Sequence, residues 1–288
     1  MDVKIFDPRF ELLVDPYQEL QPLLTGFKFV EGPIWHPQER SLIFSDILGN
    51  SLFRWTAKGG VQVIRRNSYM ANGNTYDPQG RVITCEHATS RLTRTDFSIS
   101  DELEVLASHY QGKQLNSPND VTCTKAGYIY FTDPAYGRGA GYGVPRPQEL
   151  PFQGVFRLDP ADHRLTLLAD DFSKPNGICL SRDEKQLFVN DSAYNHIRVF
   201  DLKGDGVAEN GKLWAELSPA GKGVSDGMKV DQAGNIYCTG PGGIHLFSPD
   251  ACYLGIICMP EQTANLTWGD DDLSSLYITA TSTVYRLR

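Results

Sequence analysis

Several features common in proteins of this size are missing from this 288-residue chain, and each absence narrows its function. No run approaches the roughly 18 apolar residues of a membrane-spanning helix. The opening MDVKIFDPRFELLV carries acidic residues and no long apolar centre, so it does not read as a signal peptide. Six cysteines (85, 123, 179, 238, 252 and 258) form no CxxC pair. Four of them fall inside apolar strand runs, where a free thiol behaves as a small hydrophobe, and a reduced, cytoplasmic protein is expected. Six histidines (36, 87, 109, 163, 196 and 245) show no HxxxH spacing, which argues against a histidine zinc site. Neither a GxSxG elbow nor a GxxxxGK[ST] phosphate cradle is present. Basic residues are too few and too scattered for a nucleic-acid footprint: the net charge is −8 and the only basic doublet is Arg65-Arg66. The partners expected are therefore small molecules, with no nucleic acid and no membrane.

What is present is a repeat. The stretch KPNGICLSRDEKQLFVNDSAYNHIRVFDL, residues 174–202, reads as three strands at 177–181, 186–190 and 197–202, separated by polar turns. Aligned on Asn176, the same pattern starts at Glu31, Asn72, Asn119, Asp226 and Asn265, at intervals of 39 to 57 residues. Units of this length, built of short strands with almost no helical period, predict an all-β, six-bladed β-propeller spanning residues 1–288 as one domain. A further apolar run ends each of the first five units, at 61–64, 103–107, 165–169, 212–217 and 255–259, and reads as an outermost fourth strand. The sixth unit runs out of chain after 283–287. The run Leu20–Leu24, which no blade precedes, is expected to supply its missing strand and close the ring, leaving residues 1–19 as a leading arm. Two loops exceed the basic unit. Residues 136–153 are either a functional loop or a solvated insertion, and 218–224 is a plainer connector.

The first strand of a propeller blade lines the central channel, so Glu31, Asn72, Asn119, Asn176, Asp226 and Asn265 should form a ring around its mouth. Carboxylates and carboxamides are hard oxygen donors suited to Ca²⁺ and, less often, other divalent ions. Taken singly, Asn72-Gly73, Asn176-Gly177 and Asp226-Gly227 also look like turns. Six registered positions, with Glu31 in the same slot, favour the ring. A second set follows at the ends of the second strands: Asp46, Glu86, Asp133 and Asp191, with Gly240 and Ala280 in the last two units. These read mainly as acceptors for turn amides. His87, beside Glu86, is the only histidine next to this channel chemistry. It is read as either a substrate contact or a packed strand-end side chain.

The segments FVEGPIWHP (29–37), CEHATSRLTRTD (85–96), LNSPNDVTCTKAGYIYFTDPAYG (115–137), KPNGICLSRDEKQLFVND (174–191) and SDGMKVDQAGNIYCTG (225–240) resemble the gluconolactonase, regucalcin and luciferin-regenerating enzyme family, over essentially the whole chain. The second and third are most similar to its bacterial gluconolactonase branch. The resemblance implies a six-bladed propeller with one divalent ion in the channel. It places metal ligands at Glu31, Asn176 and Asp226, with Asn119 beside both metal and substrate. It also departs from the regucalcin branch, which carries an arginine where this chain has Ser117, so that branch's sugar specificity does not transfer. The expected activity is metal-dependent opening of a gluconolactone-like ring. The cation, Ca²⁺ before Zn²⁺, Mn²⁺ or Mg²⁺, would polarise the carbonyl, Asp226 would activate water, and Asn119 and His87 would contact substrate. The alternatives are the same site acting on another ester or a phosphotriester, and a non-enzymatic calcium-binding propeller.

Overall fold

Alternating apolar and polar residues, punctuated by Asp/Gly-rich turns, make short antiparallel strands throughout, and a computed structural model describes residues 1–218 and 222–288. Six small sheets result, and each is a meander whose innermost strand comes first. Blade four shows the pattern: Pro175–Leu180, Gln186–Asp191, His196–Leu202 and Ala208–Glu216 pair in that order. Blades one, two and three run from Val30–His36 to Gly60–Arg66, from Ala71–Tyr76 to Glu104–Ala107, and from Val121–Cys123 to Leu165–Phe172. The architecture is the expected six-bladed propeller, with outer strands where the terminal apolar runs placed them.

Ring closure follows the sequence reading. Gln21–Thr25 pairs antiparallel with Thr283–Leu287, completing a four-stranded sixth blade whose inner strands are Thr263–Gly269 and Ser275–Ala280. The arm before it is more than a loose leader. Val3–Ile5 adds a fifth strand to blade five, outside Tyr253–Cys258. The short 3₁₀ turn Pro8–Leu12 then drives Phe10 into the core shared by blades five and six, where it is fully buried. Burying a phenylalanine contributes about 1.5–3 kcal/mol, enough to hold a short strand in place. A small hairpin, His109–Tyr110 with Lys113–Gln114, was not legible in the sequence either.

The core divides into clusters between neighbouring blades, such as Ile83, Leu115, Val121, Phe131 and Phe156 between blades two and three. All six cysteines are free. No helix among the described residues is long and apolar enough to cross a membrane. The connector 218–224 falls partly outside the described residues.

Candidate active site

The ring side chains reach the channel because the inner strands are irregular where they carry them. Pairing slips between Glu31 and Ile34, Ala71 and Asn74, Pro175 and Ile178, and Thr263 and Asn265. In blades three and five the ladder begins only at Val121 and Met228, just past Asn119 and Asp226. Such bulges re-aim a side chain that a regular ladder would commit to one face. The glycines that follow serve close approach between blades. A Cβ on Gly177 would collide with the Asp226 carbonyl oxygen, and one on Gly32, whose φ is +54°, with that of Asn72. The turn reading of Asn72-Gly73 and Asn176-Gly177 is thereby corrected, because both pairs lie within inner strands.

Five of the six ring residues, Glu31, Asn72, Asn119, Asn176 and Asp226, form the floor of one cavity together with His87. Phe29, Ile47, Tyr136, Tyr142 and Val224 wall it. Phe29 and Tyr142 meet edge to face at 5.1 Å. The sixth ring residue, Asn265, supports the floor from beneath, and its Nδ2 donates to Glu31 Oε2 at 3.1 Å. Its Oδ1 accepts from the Leu266 amide at 2.9 Å and from Lys229 Nζ at 3.1 Å, which fixes the orientation of the amide.

Glu31, Asn72, His87, Asn119 and Asn176 are almost wholly buried and Asp226 is partly so, and the charges suffer for it. Burial first, then the neighbouring Asp120 carboxylate, pushes the Glu31 pKa above the ordinary glutamate range. Burial, then Glu31 and Asp120, pushes Asp226 well above the ordinary aspartate range. Asn176 donates through Nδ2 to Ser192 Oγ at 3.0 Å, while its Oδ1 is buried with no hydrogen-bond partner among the described residues. Crowded carboxylates that resist ionisation, beside an unpartnered amide oxygen, form a donor set that a hard divalent cation fits. No three His, Cys, Asp or Glu side chains among the described residues cluster to hold a metal, so a cation here would depend on asparagine oxygens as well.

His87 is buried with both ring nitrogens engaged. Nδ1 faces the Tyr142 carbonyl at 2.9 Å, and a carbonyl can only accept, so Nδ1 carries the proton. Nε2 is then an acceptor for Asn72 Nδ2 at 3.0 Å and Asn119 Nδ2 at 3.5 Å. Burial lowers the His87 pKa to about 4, which keeps the ring neutral. The ring of His87 is thus packed and committed, and it also lines the cavity.

The three aspartates of the strand-end set behave as turn acceptors, whereas Glu86 takes side-chain donors instead. Asp46 takes the amides of Lys28, Phe29 and Gly49, and Asp191 those of Ser173, Lys174 and Ala193. Asp133 takes those of Asn116 and Ser117, and Glu86 takes Thr89, Arg91 and Thr93. Ser117 itself does not reach the cavity: its hydroxyl donates to the Pro134 carbonyl and accepts from the Gly137 amide. The loop at 136–153 is not wholly solvated: it delivers Tyr136 and Tyr142 to the cavity wall. Sequence reasoning missed Asp120 and Lys229. Asp120 is buried below the floor, accepting from the Val121 and Ile178 amides. The only signal for it was an acidic side chain directly after a ring position.

Residues 29–282 match the family model described as the SMP-30/Gluconolactonase/LRE-like region. A gluconolactonase from Zymomonas mobilis is 33% identical, covering 98% of this chain and 85% of its own length. A pentonolactonase from Haloferax volcanii is 25% identical, over 88% of this chain and 82% of its own. The solved structure of a gluconolactonase from Xanthomonas campestris superposes with a TM-score of 0.91 at 31% identity, covering all of this chain and 94% of that one. A match of sequence over 98% of the chain and of fold over all of it leaves one assignment: the chain belongs to the SMP-30/gluconolactonase/LRE-like family.

Proposed function

We propose that this protein is a lactonase that hydrolyses a neutral sugar lactone at the channel mouth, with a single divalent cation, Ca²⁺ by the chemistry of its donors, held by Glu31, Asn176 and Asp226 and flanked by Asn119. The observation that carries this reading is the unpartnered Asn176 Oδ1, which lines an aromatic-walled cavity together with the carboxylates of Glu31 and Asp226. Relatives that act on gluconolactone and pentonolactones support it, and no Lys or Arg lines the cavity among the described residues, which suits an uncharged substrate.

When bound, the cation would supply Lewis acidity to the lactone carbonyl and offset its developing negative charge. The chain's own residues do the rest. Asn119 and Asn72, held through Nδ2 by His87, turn their oxygens toward the cavity and orient the substrate. Asp226 takes a proton from the attacking water as its oxygen bonds to the carbonyl carbon. The ring C–O bond then breaks, the departing oxygen is protonated, and a hydroxy acid leaves. Phe29 and Tyr142 pack on the apolar face of the sugar and exclude bulk water.

Acid release should be measured on a panel of gluconolactone, pentonolactones, an aryl ester and a phosphotriester, before and after chelation. Lactone turnover lost on chelation and restored by Ca²⁺ is expected. Turnover that persists in full after exhaustive chelation would remove the cation from the reading, and preference for the ester or phosphotriester would remove the lactone.

A further inference from the structure

We infer that Arg146 is a positioning residue: it pins the 136–153 loop onto blade two so that the Tyr142 carbonyl fixes the His87 tautomer, and His87 in turn aims the amides of Asn72 and Asn119.

The pin is visible bond by bond. One guanidinium nitrogen of Arg146 donates to the His87 carbonyl at 2.7 Å and to Ser90 Oγ at 2.6 Å. The other donates to the carbonyls of Gly137 at 3.0 Å and Val144 at 2.8 Å. One planar fork thus ties the strand-end backbone of blade two to both sides of the loop's tightest turn, where the Val144 amide also reaches the Gly137 carbonyl at 3.0 Å. All these partners are neutral oxygens, so geometry rather than charge pairing fixes the guanidinium. The loop lies directly on the histidine, since a Cβ on Gly137 would meet Cβ of both His87 and Ser117.

The consequence reaches the cavity through His87. With Nδ1–H held by the Tyr142 carbonyl, Nε2 has a lone pair to offer, and an asparagine can meet it only through its NH₂. Asn72 and Asn119 both do so, which leaves their Oδ1 atoms as the faces presented to substrate. The opposite tautomer would place N–H against NH₂ and release both amides to rotate. The loop and its arginine thereby set, through His87, the hydrogen-bonding polarity of two floor residues to which Arg146 makes no hydrogen bond among the described residues.

The effect on turnover rests on the lactonase reading; the effect on the imidazole does not, and the two can be read apart. Long-range ¹H–¹⁵N spectra of histidine-labelled, substrate-free protein should show His87 as the Nδ1–H tautomer. In Arg146→Met, which keeps the apolar stem, that signature should give way to a tautomer mixture, and Arg146→Lys should recover part of it. On the best lactone, Arg146→Met should lower kcat/KM by about ten- to a hundredfold. Combined with His87→Gln, the loss should be well short of the product of the two single losses, because both act on the same amides. An unchanged Nδ1–H signature in Arg146→Met, or losses that multiply independently, would overturn the assignment. If Arg146→Met does not fold, the Lys variant carries both measurements, and a fully wild-type spectrum and rate there would also count against the fork.

Discussion

Two rings of oxygen side chains sit within a few residues of each other in this propeller, built from similar residue types and withdrawn from solvent, yet they have opposite fates. In the strand-end ring, Asp46 and Asp191 each collect three backbone amides, so their lone pairs are spent on holding the loops between blades. In the channel ring, Asp226 receives no backbone N–H among the described residues, and Glu31 receives the Gly32 amide and Asn265 on the same oxygen. Asn176 keeps Oδ1 free. A carboxylate becomes a potential ligand or base when the scaffold declines to satisfy it. The bulged inner strands contribute to this: where their pairing slips, the side chains leave the regular ladder and turn to the channel.

Breaking the channel ring should have the largest effect. Asp226→Asn preserves shape and one oxygen but removes the proposed proton acceptor. A loss of about 10²–10⁴ in kcat is expected, measured at Ca²⁺ concentrations that saturate the weakened site. Activity restored to wild type under those conditions would reduce Asp226 to a ligand. Next in size, Glu31→Gln should weaken cation binding by calorimetry, because it removes one of two neutralising charges. In chelator the same substitution should do the reverse to stability. The Glu31 pKa is raised in the folded protein, so its stabilising contribution is present below the ordinary glutamate range and is lost as pH rises through the folded value. Glu31→Gln should therefore gain in melting temperature over wild type as the pH of metal-free protein is raised. A gap that shrinks with pH would contradict the crowding of Glu31, Asp120 and Asp226.

Breaking the strand-end ring should separate stability from chemistry. Asp191→Asn leaves an NH₂ facing backbone amides and should cost about 1–3 kcal/mol in denaturant unfolding, with cation affinity unchanged. A tenfold fall in affinity would mean that the two rings are not independent.

This division explains what could be read from the sequence. The blade count, strand order and closure were legible because a repeat of short alternating strands has few other ways to bury its apolar faces. The registered positions Glu31, Asn119, Asn176 and Asp226 were legible for the same reason. Asp120, Lys229 and Asn265 were not legible in their roles, because those depend on which side chain lies beneath which across blades far apart in the chain. Asn265 occupies a ring position by register, yet the Leu266 amide and Lys229 turn it into a support for Glu31. The fifth strand of blade five escaped notice because Val3–Ile5 is too short to announce itself and owes its place to Phe10.

Asp133 tests the comparison most finely, and its replacement should change least at neutral pH. It belongs to the strand-end ring by position and takes the amides of Asn116 and Ser117 at 2.7 and 2.8 Å. It nevertheless shares a property with the channel ring: burial outweighs those two amides and pushes its pKa up to about 7. The sign follows from linkage. An acid whose folded pKa exceeds its unfolded value near 3.8 stabilises fully below that unfolded value, and the contribution is lost as pH rises through about 7. Wild-type protein should thus lose on the order of 3 kcal/mol of this contribution between about pH 5 and 8, whereas Asp133→Asn has no proton to lose there. The substitution should be clearly destabilising at pH 5 and nearly neutral at pH 8, as read from denaturant midpoints of the two proteins in parallel. A penalty that is constant across that range, like the one expected for Asp191→Asn, would mean that two amides already suffice to hold the charge. The boundary between the rings would then lie at the first pair of backbone donors.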